Sequence, residues 1–240
     1  MNRFIILFLL LIPGMSKSQN LSFDGTNDYV ALTKMNLSSS DGFTFSLWVK
    51  KETGLPSAGN YESIIRQDIN GNPDFLLQFT SSQLAFGLNT ANTTYSELKV
   101  NISASDYIDK WVHIAGFLNS STSTSYLYVN GTQVGSNNDH SGDVTTTSNH
   151  TLHIGNSSHG SGSEFLDGEI DEVAIWSENL SAAEITALYN SGKGLIATAN
   201  SGDYTSSGDL IGYWPMNEGS GSTLADGSSN SNTGTINGAS

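Results

Sequence analysis

The chain has 240 residues, 23 acidic against 9 basic, a formal net charge of −14 and no cysteine. That length fits one or two domains. The charge argues against a nucleic-acid partner, which needs a Lys/Arg-lined surface, and the missing Cys excludes disulfides, zinc–thiolate sites and thiol catalysis.

The first element in the chain is an address. Asn2 and Arg3 precede an unbroken apolar run from Phe4 to Ile12, followed by Pro13 and Gly14. A positive start, a short apolar stretch and small residues (Ser16 and Ser18) ahead of a cleavage point describe a secretory signal peptide over residues 1–18. The run falls well short of the roughly 20 residues that span a bilayer, so no membrane span is expected, and no Cys follows that could carry a lipid. The expected mature chain, residues 19–240, is secreted or held at a cell surface. Losing Arg3 and Lys17 makes it more acidic still, and an acidic surface outside the cell meets available calcium.

From Asn20 onward short apolar runs alternate with Gly/Asn/Ser/Asp clusters, the pattern of an antiparallel sandwich. Phe43, Phe45, Leu47 and Val49 share one strand face, and Thr44, Ser46, Trp48 and Lys50 share the other. Further strands are expected at Tyr61–Arg66, Asp74–Phe79, Gln83–Leu88, Ser96–Val100 and Trp111–Leu118. Tyr126–Val129, Asn130-Gly131 and Thr132–Val134 read as a hairpin, because Asn-Gly suits the two positive φ angles of a type I′ turn. Leu152–Gly155 and Ile170–Trp176 follow as strands. Ser181-Ala182-Ala183-Glu184 is a capping box that starts a short helix near 181–191, with Gly192 placed to stop it. Leu210–Trp214 is another strand, and Thr235-Ile236 a possible last one in a Gly/Ser/Asn-rich tail.

Several stretches together resemble a laminin-G-like jelly-roll domain of the concanavalin A-like lectin/glucanase superfamily: LSFDGTNDYVAL at 21–32, FTFSLWVK at 43–50, WVHIAGFL at 111–118, YLYVNGTQVG at 126–135, LHIGN at 152–156, FLDGEIDEVAIWSENLSAAEITALYNSG at 165–192 and LIGYWPMNEGSGSTLADGSSNSNTGTINGAS at 210–240. The resemblance spans about residues 20–240 in the family's order. It implies an all-β fold of two antiparallel sheets packed face to face, with the tail pairing back onto the sandwich. Relatives often continue past the Asn-Gly-Ala with another Trp-containing strand, so the chain reads as an early end or a piece of a longer protein.

The chemistry follows from a few positions. Glu169-Ile170-Asp171-Glu172 is similar to the Glu-x-Asp strand of some glucanases of the superfamily. A retaining glycosidase needs two carboxyls about 5–5.5 Å apart on one face. Glu169 and Asp171 share a face, Val173 and Ala174 stand where a second Glu belongs, and Glu172 points the other way unless a bulge intervenes; no enzyme is expected. Strand parity places Asp171 with Val173 and Ile175 in a core-facing row, where an uncompensated carboxylate would be costly and a cation would offset it. The resemblance implies a rim calcium near the first and last strands, with Asp24, Asp28 and Asp171 as its ligands. Against it, Asp24 and Asp28 also suit Asx turns. His150 and His153 lie three apart in a strand and do not converge on zinc, His159 reads as a surface residue, and His113 as a half-buried sheet residue. No nucleophile elbow or phosphate loop is present.

Glycan binding needs exposed aromatic faces beside polar groups, and Trp48, Tyr61 and Tyr95 are the candidates. Trp48, Trp111, Trp176 and Trp214 also suit packing under loops or between sheets. Asn-x-Ser/Thr triplets such as Asn36-Leu37-Ser38 and Asn156-Ser157-Ser158 matter only in a eukaryotic secretory host. The expected function is a non-catalytic module that binds a polysaccharide or cell-surface glycan with a structural calcium. The alternative is a protein-binding or structural module of an extracellular assembly.

Overall fold

The computed structural model describes residues 19–69, 72–92, 95–146, 151–157 and 164–240. The signal-peptide reading of 1–18, His150, His159 and Ser158 of the Asn156 triplet lie outside these residues. In chain order the strands are β1 (Leu21–Asp24), β2 (Tyr29–Leu32), β3 (Phe43–Lys51), β4 (Glu62–Ile69), β5 (Asn72–Phe79), β6 (Gln83–Leu88), β7 (Ser96–Asn101) and β8 (Val112–Asn119). They continue with β9 (Thr124–Val129), β10 (Thr132–Asn137), β11 (Leu152–Ile154), β12 (Asp167–Trp176), β13 (Leu210–Trp214), β14 (Thr223–Leu224) and β15 (Gly234–Asn237), and one helix, α1 (Ala182–Tyr189), lies between β12 and β13. Two antiparallel sheets result. Sheet A runs β1-β12-β3-β8-β9-β10 with β13 also on β12, and sheet B runs β14-β15-β2-β11-β4-β5-β6-β7.

Alternation decides what lies between the sheets. Phe43, Phe45, Leu47 and Val49 of β3 face Phe75, Leu77, Phe86 and Leu88 of sheet B in one buried cluster. Phe43 meets Phe75 with ring centroids 4.9 Å apart, and Phe45 meets Phe86 at 5.0 Å. Trp214 joins this core, fully buried, with its indole N–H donating to the Asn232 carbonyl.

Sheet A is apolar on its other side as well. Across β12, β3 and β8 its outer rows are Trp176–Thr44–Phe117, then Ala174–Ser46–Ala115, then Asp171–Trp48–His113. The small middle row leaves room for α1, whose Ile185 and Leu188 pack there with Tyr204 and Tyr213 in a second buried cluster. The capping box forms as the sequence predicts: Ser181 Oγ accepts from the Glu184 amide, and the Glu184 carboxylate accepts from the Ser181 amide. The same carboxylate accepts from the Thr205 amide and the Ser206 hydroxyl, fastening α1 to the returning chain. The helix stops at Asn190, in the left-handed region at φ 46, two residues before the expected Gly192. Asparagine tolerates that conformation, and its amide closes onto the Thr186 carbonyl.

The hairpin turn at Asn130-Gly131 has both φ angles positive, 50° and 73°. Several side chains tie down the Gly/Ser/Asn tail: the Asp226 carboxylate accepts from the amides of Tyr213, Ser228 and Asn232, and Asn230 and Asn232 donate to the Leu210 and Ile211 carbonyls. β15 then pairs back onto β2 and carries β14 on its other edge, and Ser240 exchanges two backbone hydrogen bonds with Ser22 of β1. Among the described residues no helix is long and apolar enough to cross a membrane.

Candidate functional site

Two concavities carry exposed aromatic side chains beside polar groups, one on the outer face of each sheet. On sheet B the outer row is Ala31, His153, Arg66, Leu76, Gly87 and Glu97, with Gln78, Ala85 and Lys99 in the next. Tyr61 and Tyr95 meet here, in one groove of about 180 Å³ with Arg66, Gln78, Glu97, Lys99 and Glu164. Tyr95 lies across the sheet because residue 87 is glycine: a Cβ there would stand 2.3 Å from the Tyr95 hydroxyl. That hydroxyl donates to Glu97, and burial and then this carboxylate push the phenol well above its ordinary range. Arg66 is almost wholly buried. It is held rigid by Asp68, by Glu164 at 2.8 Å and by Gln78 at 3.4 Å. Tyr61 is 43% exposed at the groove's edge.

On sheet A the third candidate, Trp48, sits where the helix roof ends. A cleft of about 270 Å³ opens there, lined by Trp48, Trp111, Asn20, Asp171, Glu172 and the 192–196 loop. Its origin is a change of partner along β12. Residues 167–170 pair with β1 and residues 173–176 with β13, so the edge is split at Asp171 and Glu172. The register against β3 slips at the same place, with Asp171 opposite Trp48 and Ala174 opposite Ser46. Glu172 is the extra residue, at φ 52. A bulge of this kind breaks strict alternation, and it corrects two expectations. Asp171 lies opposite Trp48 on the outer face, not in the core-facing row, and Glu172 turns to the same side, where Tyr213 donates a short hydrogen bond to it. Burial pushes the Glu172 carboxyl up to about 7, with the neighbouring Asp171 adding to the rise and the Tyr213 bond opposing it. Trp48 itself is largely covered, 5.8 Å from the Tyr189 ring and 5.2 Å from that of His113.

Asp24, Asp28 and Asp171 do not form one donor set. Asp24 lies opposite Asp167 on β12, four residues from Asp171, or roughly 13 Å of strand. The Asp24 carboxylate accepts from the Thr26 and Asn27 amides, an Asx turn, and Asp28 accepts from the Asp24 amide. Burial raises the Asp28 carboxyl above its ordinary value. Nearby, Lys51, fully buried, is ion-paired with Glu62 and donates to the Asp167 carbonyl at 2.9 Å. Among the described residues no three His, Asp or Glu side chains gather as a metal site. The residues present therefore do not fit the expected shared calcium.

His113 is fully buried rather than half-buried, and burial lowers it to about 3, so it is neutral. Its Nε2 lies 2.8 Å from Ser46 Oγ beneath the Trp48 ring, a closed pair under the roof. Of the four tryptophans, Trp176 and Trp214 pack away fully, while Trp111 stays 37% exposed. Arg66, Gln78 and Glu164, which complete the groove, were missed in the sequence. The one local signal was a cluster of charged and amide residues, Arg66-Gln67-Asp68 in β4 and Gln78 in β5, set directly after aliphatic runs.

A family model described as the concanavalin A-like lectin/glucanases superfamily, of laminin-G type, matches residues 24–186, and the chain belongs to this family. No curated protein matches it. Among solved structures it is similar to a protein from Bacteroides ovatus provisionally described as carbohydrate-binding, at 16% identity and a TM-score of 0.68, over 93% of this chain and 60% of that one. It is also similar to the heptameric SAP-like pentraxin of Limulus polyphemus, at 17% identity and a TM-score of 0.52, over 71% and 81% of the two chains. The botulinum neurotoxin serotype D binding domain aligns at 21% identity and a TM-score of 0.56, over 72% and 43%. The present chain thus spans 60% of the first and 43% of the third of these, less than two thirds of each. At such identities the likeness is one of fold.

Proposed function

We propose that this chain is an extracellular, non-catalytic carbohydrate-binding module that takes its glycan in the Tyr61–Tyr95 groove. The observation that carries this reading is the exposed Tyr61 ring beside a buried Arg66 whose donors are fixed by Asp68, Glu164 and Gln78. A sugar ring offers an apolar face for an aromatic platform and hydroxyls for oriented polar groups, the combination small-molecule sites provide. Holding the polar groups in place beforehand spares the ligand that ordering. The leader-like residues 1–18 support an extracellular setting, and the similarity to the Bacteroides ovatus protein supports the ligand class. The Asp24–Asp28 turn engages its own carboxylates, and calcium is left out of this reading.

A glycan array on the secreted protein, run in calcium and again in EDTA, tests the reading. Discrete hits that weaken about tenfold in Tyr61→Ala, with an unchanged melting curve, are expected. A blank array on folded protein would overturn it in favour of a protein partner. Hydrolysis of a bound glycan would replace it with an enzyme.

A further inference from the structure

We infer that the cleft between Trp48 and Trp111 is a second carbohydrate site, distinct from the groove, which seats one sugar ring beside Trp111 with hydroxyls on Glu172. The ligand class rests on the proposed function; the residues do not. The first observation is what the fold leaves uncovered. Among the described residues the large apolar side chains left exposed are Tyr61, Trp111, Val134 and Ile196. Tyr61 marks the groove, while Trp111 and Ile196, 37% and 60% exposed, both line this cleft. Single exposed apolar residues are ordinary; here two of them border one concavity.

The second is that these aromatic walls are fixed. Lys50 stands 5.7 Å from the Trp111 ring centroid and is ion-paired to Glu169, which also accepts from the Asn20 amide group at 2.6 Å. Trp48 forms the floor against Tyr189. The volume, about 270 Å³, lies just under the roughly 300–1,000 Å³ of drug-sized ligand sites, which suits a single ring.

The third is the polar end. Tyr213 donates to one oxygen of Glu172, leaving the other outside that bond, and Glu172 is among the residues that line the cleft. The charged and titratable groups around it are Asp171 on its own strand, Tyr213 on β13, Lys193 on the loop and the Lys50–Glu169 pair on the adjoining row. With this carboxyl titrating near 7, it is mostly protonated at pH 6 and mostly ionised at pH 8. A carboxylate accepts shorter and stronger hydrogen bonds from hydroxyls than the neutral acid does, so sugar affinity should rise across that interval.

Calorimetry with cellotetraose, xylotetraose and chitotetraose at pH 6 and pH 8 tests this on the secreted protein and on Tyr61→Ala, Trp111→Ala, Ile196→Asp and Glu172→Gln. Tyr61→Ala should keep a component of binding that is several-fold tighter at pH 8. Trp111→Ala and, independently, Ile196→Asp should lose that component about tenfold, and Glu172→Gln should remove its pH dependence. If Trp111→Ala and Ile196→Asp bind as the parent does at both pH values, the inference falls. If Tyr61→Ala abolishes all binding, the cleft falls and the groove stands. If Tyr61→Ala changes nothing while Trp111→Ala abolishes binding, the groove falls and the cleft stands. If none of the sugars binds, both fall.

Discussion

The outer faces of the two sheets differ in a way that follows from which side chains alternate outward. Sheet A presents Trp176, Phe117, Tyr128 and Ala174 outward, and these are buried only because α1 and the chain through Tyr204 cover them. Sheet B presents Arg66, Gln78, Glu97 and Lys99, which satisfy one another and leave their face open as a groove. A sheet that is apolar on both sides must acquire a roof. A site on such a sheet is confined to where the roof stops, as at Trp48, whereas a polar face can be a site across its floor.

That contrast can be broken by removing the roof's contents. Trp176→Ala should cost about 3–5 kcal/mol, read as a fall in melting temperature; a loss below about 1 kcal/mol would mean the outer cluster is not a true second core. Glu184→Ala removes both the cap and the tie to Thr205 and Ser206, at about 2 kcal/mol. Hydrogen exchange should then quicken over residues 182–206 and not in sheet B, and equal quickening in both would contradict a separable roof. Burial alone would raise Glu184, but bonds from Ser206, Ser181 and Thr205 hold it at about 2. Its contribution is therefore present above the ordinary 4.5 and lost as the pH falls toward 2. Glu172 has the opposite sign: the folded chain keeps its proton to about 7 and the unfolded chain releases it near 4.5, so stability falls as pH rises across that window. Glu172→Gln should flatten the slope in melting curves, and an unchanged slope would place the titration elsewhere. The smallest expected effect is that of EDTA on the parent's melting temperature: none, because the Asp24 and Asp28 carboxylates are already engaged by the amides of their own turn. A shift of several degrees would return a bound metal to the Asp24–Asp28 turn.

What could be read in the sequence was what is decided locally. The strand at Phe43–Lys50, the Asn130-Gly131 turn and the Ser181–Glu184 box each depend on neighbours in the chain, and each formed where expected. The faces of Asp171 and Glu172 were misread because parity assumes an unbroken strand, and the bulge arises only where β12 passes from β1 to β13. Tyr61 and Tyr95 were candidates one by one. Their meeting depends on the β4-β5-β6-β7 order and on Gly87, where a missing side chain makes the room. The loose composition after Gly194 hid the roof, since Tyr204 gains its role from Trp176, to which it is hydrogen-bonded at 3.0 Å.

The pairing of β15 with β2 has a kinetic meaning. Tyr29–Leu32 cannot complete its ladder until residues 234–237 are available, and β1 waits in the same way for β12. Contacts between such distant parts of a chain slow folding and leave strand edges bare while it proceeds. In a polypeptide emerging from a ribosome, the meanders β4–β7 and β8–β10 can pair early, but the edges of β1 and β2 stay open until synthesis is nearly complete.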